Sequence, residues 1–294
     1  MKALVIGASG FVGRRILERL GPERALGTFV SRPLDQAIAF DATRQPLDDA
    51  LKAAPSDLTH VFILYGAINP ELCARDWAAT AAINVESVKR VAQACFRRAL
   101  TPVFFSTDYV FSGERGFWTE DDSIRPLTAY GRQKGMVEAW FQTCADPWLM
   151  VRLSKVVSDR IEPQNILGEW VCNALDGREM RCAYDQTLSP LSAADAAGAA
   201  IQLAQSGATG LFNVAGPEAF TRLALLRLLM AHLAAEGRAA QPTITPCRLG
   251  DLPFSEPRPL DTSLNIDKLQ RAIAWDFTPM STLCRTLARD QASR

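Results

Sequence analysis

Apolar residues in the first half of the chain fall in short, nearly unbroken runs: KALVI (2–6), ALGTFV (25–30), QAIAF (36–40), VFILY (61–65), PVFFS (102–106) and WLMVRL (148–153). None alternates cleanly between apolar and polar positions, as a strand with one wet face would. Such runs predict strands covered on both faces. Between them the apolar period lengthens to that of a helix, in RRILERL after the first run, around 75–99 and around 129–144. Repeated strand–helix units predict an α/β fold, a Rossmann-like doubly wound parallel sheet with right-handed crossovers. After residue 155 the order is less regular. Helices are predicted at 163–177, 191–205 and 220–236 and a strand at GLFNV (210–214), while 241–259 holds five prolines and reads as loop. The expected organisation is a first domain over 1–155, with later contributions from about 187–216, and a smaller interleaved C-terminal lobe, mainly 156–294.

The first strand runs into Gly7-Ala8-Ser9-Gly10-Phe11-Val12-Gly13 and then a helix. Glycines there let the backbone turn tightly and approach a pyrophosphate, while the helix N-terminus offers free N–H groups and a positive dipole end. The third glycine lets the helix pack against the sheet. The pattern predicts a dinucleotide site over Gly7, Ser9, Gly10, Phe11, Val12 and Gly13. An acid at the end of the second strand would bind the adenosine ribose and favour NAD. This strand ends Val30-Ser31-Arg32-Pro33, with no acid before Asp35. Arg32 and Ser31 suit a 2′-phosphate, which predicts NADP(H) in preference to NAD(H). A solvated loop charge is the alternative for Arg32.

Tyr130 and Lys134 stand four apart at the start of the helix predicted at 129–144, so they share a face that continues through Val137 and Phe141. A phenol with a free pKa of about 10 is a poor acid or base at neutral pH. An adjacent ammonium lowers that value, and the phenol then donates a proton to a carbonyl receiving hydride. Ser106-Thr107, ending PVFFS, supply hydroxyls to hold that oxygen.

The remaining composition narrows the classes. Lys plus Arg equals Asp plus Glu at 32 each, so no net charge draws the chain to nucleic acid or an anionic membrane. No apolar run reaches the roughly 20 residues of a membrane span, and the N-terminal run is too short for a signal peptide. Seven scattered cysteines without C-x-x-C spacing fit free thiols in a reducing compartment. A cytoplasmic location is expected. His60 and His232 lack ligand-spaced partners, so no metal site is expected. The leucine-rich segment 220–236 reads as core or homodimer packing. Trp118 is left between stacking on a ligand and anchoring its own loop.

The run Ser106-Thr107-Asp108-Tyr109-Val110-Phe111-Ser112-Gly113, followed by Thr119-Glu120-Asp121-Asp122, Pro126-Leu127 and Tyr130-Gly131 through Lys134 and Glu138, resembles the signature of dTDP-4-dehydrorhamnose reductases, which are extended short-chain dehydrogenases. Arg152, Asp185-Gln186, Gly210 through Pro217, Arg258-Pro259 and Ser263-Leu264 extend the resemblance over most of the chain. It implies Thr107, Tyr130 and Lys134 as the catalytic trio, with Tyr130, Lys134 and Ser106 also against the cofactor. It places Asp41 and Ala42 by the adenine, Gly66 and Ala67 along the cofactor, and Asn84 near the active site. It implies reduction of a keto group on a nucleotide-linked sugar held by the C-terminal lobe. The chain departs from the family at Leu64-Tyr65-Gly66-Ala67 and at Leu153-Ser154-Lys155-Val156-Val157, which flank the expected substrate pocket. An epimerase on the same scaffold, or a regulatory subunit that only binds dinucleotide, stays open at this level.

Overall fold

The unbroken runs become six neighbouring strands: β1 (Ala3–Ile6), β2 (Ala25–Phe29), β3 (Ala37–Ala39), β4 (His60–Ile63), β5 (Thr101–Thr107) and β6 (Leu149–Leu153). With the strand Gly210–Val214 they form one seven-stranded sheet, ordered (210–214)-β6-β5-β4-β1-β2-β3, every pairing parallel. This computed structural model describes residues 1–162, 164–238 and 242–290. Residues 163 and 241, which begin two of the predicted segments, and residues 291–294 of the predicted lobe lie outside them.

Successive residues of a strand enter different cores, which explains the missing alternation. Ala3 and Val5 of β1 pack with the helices Phe11–Leu20 and Ala193–Gln205 on one face, while Leu4 and Ile6 pack with Val88, Val91, Val137 and Phe141 on the other. In β5, Val103 and Phe105 join the first cluster and Phe104 the second. A third cluster forms the lobe. There Leu223, Leu225, Leu226, Leu229 and Leu233 of the leucine-rich helix (Arg222–Ala235) pack on the helices Ile166–Leu175 and Met280–Arg289.

Three expectations change. The helix expected at 75–99 starts earlier and is interrupted: Pro70–Arg75, Trp77–Ala81, a π turn Ala82–Ser87, then Val88–Phe96. Asn69 caps the first piece by accepting the N–H groups of Glu71 and Leu72, and Pro70 occupies its first turn. Asp76 leaves helical geometry and caps the second, accepting from Ala79 N. The segment 241–259 is not all loop, since Ile244–Cys247 pairs in parallel with Met180–Ala183. Pro246 is tolerated because this strand has one neighbour, and an absent N–H on its outer side breaks no ladder. The helix Met280–Arg289 was not anticipated. Among the described residues no helix is long and apolar enough to cross a membrane, and all seven cysteines are free.

Candidate active site

The glycine loop follows β1 at the carboxyl edge of the sheet, beside the switch point between β1 and β4. Two of its glycines are demanded by the chain's own packing. Gly7 has φ +90°, and a Cβ there would lie 2.8 Å from Tyr65 N; a Cβ on Gly13 would lie 2.6 Å from Gly7 O. Gly10 differs. Its nearest neighbour would be 3.4 Å away, so nothing in the fold forbids a side chain, and its absence leaves the helix N-terminus open. That helix, Phe11–Leu20, has no side-chain cap and no acid in its first turn, so its N–H groups and positive dipole end await an anion. The cradle fits a pyrophosphate. Gly13→Ala is expected to lower stability by about 1–3 kcal/mol through overpacking. Gly10→Ala is expected to melt near the parent while binding dinucleotide about tenfold more weakly, as loss of a charge-assisted hydrogen bond implies. Thermal melts paired with dinucleotide titrations check both.

Ser31 and Arg32 are exposed in the loop after β2. Asp41 makes an Asx turn, accepting Thr43 N at 2.9 Å and the Thr43 hydroxyl at 2.6 Å, and the latter contact holds its carboxyl below the usual carboxylate range. Ala42 beside it is buried. Gly66 and Ala67 follow β4, held by Asn84 from below. The Asn84 amide accepts Ala67 N at 2.7 Å and donates to Ala67 O at 2.9 Å and to Gln133 Oε1 at 2.7 Å. Asn84 lies in the π turn, which is where such turns often place functional side chains. Its amide is fully occupied, so its geometry is that of a clamp on the loop.

Thr107 ends β5 opposite Leu153 of β6. Its hydroxyl donates to Asp108 Oδ1 at 3.1 Å and accepts Tyr109 N at 3.3 Å. Tyr130 lies in the first turn of the helix Ala129–Phe141, where Thr128 caps Gly131 N and Glu256 accepts Ala129 N at 2.8 Å. Gly131 permits the close approach, because a Cβ there would strike Tyr109 O. The half-buried Tyr130 ring meets Tyr109 edge-on at 6.3 Å. Burial raises the phenol pKa above its ordinary value. The Thr107 hydroxyl works against that rise, and the charges of Asp108, Cys73 and Tyr109 add to it.

This corrects the expected tuning by Lys134. The spacing of four puts both residues on one stripe, but the Lys134 ammonium turns into the sheet edge. It donates to Phe105 O at 2.7 Å and lies 4.5 Å from the Phe104 ring centroid. Burial lowers its pKa to about 8, with Glu138 pulling it back up. The phenol is thereby kept protonated, the form a proton donor requires.

Beneath the trio lies a network that sequence reasoning did not assemble. Glu138 takes a hydrogen bond from Ser106 and a bidentate one from Arg152, with Nη2 to Oε2 at 2.7 Å and Nε to Oε1 at 3.1 Å. Both charged side chains are at most 2% exposed. Ser106 therefore faces Glu138. The available signal was an Arg inside an apolar strand and a Glu on the inward stripe of the Tyr130 helix. Asp108 is also buried, and burial raises its pKa to about 6 against the Thr262 and Thr107 hydroxyls and Lys155. Trp118 resolves as a loop anchor, stacked on Phe111 at 4.7 Å and donating from Nε1 to Asp261 O.

The family described as RmlD substrate binding domain matches residues 1–289. A probable low-salt glycan biosynthesis reductase, Agl14, of Haloferax volcanii is 29% identical over 75% of this chain and 76% of its own. A dTDP-4-dehydrorhamnose reductase of Escherichia coli is 25% identical over 93% of this chain and 92% of its own. Among solved structures, a hypothetical dTDP-4-dehydrorhamnose reductase from Sulfolobus tokodaii superposes with a TM-score of 0.81 at 25% identity, covering 96% of this chain and 99% of that one.

Proposed function

Because the chain belongs to the RmlD substrate binding domain family, among the extended short-chain dehydrogenases, we propose that it reduces a keto group on a nucleotide-linked sugar, using a nicotinamide dinucleotide as hydride source. The observation that carries this is the meeting of the Thr107 hydroxyl and the Tyr130 phenol at the carboxyl edge of β5, on the same edge as an open helix N-terminus. Residues 1–155 with the strand 210–214 hold the dinucleotide, and the C-terminal lobe receives the sugar nucleotide. The dinucleotide supplies the hydride when bound. The glycine loop takes its pyrophosphate, Asp41 and Ala42 border the adenine, and Gly66 and Ala67, clamped by Asn84, line its path. Lys134 stands beside the nicotinamide end and holds the ribose, while Ser106, whose hydroxyl is taken by Glu138, braces the strand end beneath it. Thr107 orients the substrate carbonyl. Tyr130 gives its proton to the carbonyl oxygen as the carbon receives hydride, leaving an alcohol and a phenolate that is reprotonated from solvent.

NADPH is the preferred donor in this reading, with Arg32 on the 2′-phosphate and Ser31 beside it. Net oxidation of NADPH by keto-sugar nucleotides tests the reaction, and it separates reduction from epimerisation, which consumes none. Arg32→Ala is expected to lower the ratio of kcat/KM for NADPH over NADH by about tenfold or more, the worth of a charge-assisted contact. An unchanged ratio sinks the assignment.

A further inference from the structure

Residues 255–261 of the C-terminal lobe form a strap bonded to three elements of the first domain that border the site. Glu71, in the first turn of the helix Pro70–Arg75, accepts Ser255 N at 3.0 Å and pairs with Arg258. That helix follows Gly66-Ala67 and is tied to it by the Cys73 thiol, which donates to Ala67 O at 3.2 Å. Glu256 accepts Ala129 N at 2.8 Å and pairs with Arg132 at 2.7 Å, both on the helix that carries Tyr130. Asp261 N reaches Gly113 O, in the loop after β5, at 3.1 Å. The strap passes so near that loop that a Cβ on Gly113 would lie 2.6 Å from Leu260 N. On the lobe side, Leu260 O accepts Thr187 N at 2.7 Å. Pro257 and Pro259 each fix one backbone angle of the strap, and the Arg258 side chain, 4% exposed, holds it down.

The contacts of Glu256 fall on either side of the proton donor. The first N–H groups of a helix have no partner within it. The Thr128 hydroxyl takes Gly131 N at 3.1 Å. Ala129 N, one residue before Tyr130, is held by Glu256, and Arg132, two residues after Tyr130, donates to the same carboxylate. That carboxylate is 16% exposed, at the helix end where the dipole favours negative charge. The turn needs an outside hold. Gly131 lets it approach Tyr109 O, but glycine there, and again at 135, gives the helix more backbone freedom than any other residue would.

We propose that Glu256 is a positioning residue for Tyr130. Its carboxylate fixes the turn from which the phenol is presented to the substrate carbonyl, and it does so from the lobe that receives the sugar nucleotide. The role rests on the reductase reading for the carbonyl and the hydride.

Turnover of keto-sugar nucleotides with NADPH is measured in the parent, Glu256→Ala, Glu256→Gln, Tyr130→Phe and Glu256→Ala combined with Tyr130→Phe. Glu256→Ala is expected to lower kcat by about 10–100-fold, since misplacing a reacting group by about 1 Å can cost about 10²-fold. Glu256→Gln keeps an oxygen that can accept Ala129 N and is expected to recover most of that loss. In the Tyr130→Phe background Glu256→Ala is expected to cost less than about threefold more, because the group it positions is already gone. A merely structural role multiplies the two losses, and that result overturns the proposal. So does a kcat in Glu256→Ala within about twofold of the parent, or a Glu256→Gln no better than Glu256→Ala. Hydrogen exchange at the Ala129 amide is read in parallel and needs no substrate. Glu256→Ala is expected to speed it about tenfold or more, as loss of a charge-assisted hydrogen bond implies, while the helix Arg222–Ala235 exchanges as in the parent. Unchanged exchange at Ala129 overturns the clamp whatever the turnover. Faster exchange in Glu256→Ala, with no turnover of any keto sugar by the parent, keeps the clamp on Tyr130 and removes the reductase reading.

Discussion

Tyr130→Phe is expected to lower kcat for carbonyl reduction by about 10²–10⁴-fold, the usual contribution of a positioned general acid. Phenylalanine keeps the edge-on contact with Tyr109 and the helix cap at Thr128, so the melting temperature should barely move and the loss isolates the proton donor. The pH profile sharpens the test. Burial holds the Tyr130 phenol above its ordinary value, so it stays protonated through neutral and mildly alkaline pH and contributes no alkaline limb there. Lys134, with its pKa lowered to about 8, loses its proton as pH rises through that value. Reductive turnover is therefore expected to fall near pH 8, and Lys134→Arg should move that limb upward, since a guanidinium stays charged. Turnover in Tyr130→Phe within about tenfold of the parent would exclude Tyr130 as the acid.

The second large effect concerns stability. Glu138→Ala removes the carboxylate that receives Arg152 Nε, Arg152 Nη2 and the Ser106 hydroxyl. It strands a guanidinium that is 2% exposed and whose Nη1 already has no partner. Breaking a buried ion pair in this way costs about 3–5 kcal/mol, a large part of the about 5–15 kcal/mol that holds a domain folded. Urea denaturation at neutral pH should show it directly. Arg178→Ala, which breaks the exposed pair with Asp176, should leave the midpoint in place. Glu138→Leu combined with Arg152→Met should cost less than Glu138→Ala, because no charge is then left unpaired. A loss below about 1 kcal/mol in Glu138→Ala would mean that water reaches Arg152.

Both effects have roots in the sequence, and they differ in how far it reveals them. The spacing of Tyr130 and Lys134 predicted a shared helical face, and the helix Ala129–Phe141 provides it. The same spacing suggested that Lys134 acidifies the phenol, which fails because the carbonyl of Phe105 and the ring of Phe104 claim the ammonium. Those partners are about 30 residues away and cannot be inferred from a helix wheel. The interrupted helix is an intermediate case. Asn69-Pro70 is a local start signal, but the π turn that aims Asn84 at Ala67 depends on what the helix packs against.

By itself the sequence determined what local rules encode. Unbroken β-prone runs specified a sheet buried on both faces, strand–helix repetition specified its parallel winding, and glycines at 7, 10 and 13 specified the opening of the first helix. Only the tertiary structure decided which charges meet. It paired Glu138 with Arg152, turned Lys134 toward β5, and set Asn84 against Ala67 and Gln133 from separate stretches of chain. The reason is range. Periodicity and backbone preference act over a few residues, whereas the electrostatic energy of a side chain is set by whatever the fold leaves within a few ångströms of it once water has been removed.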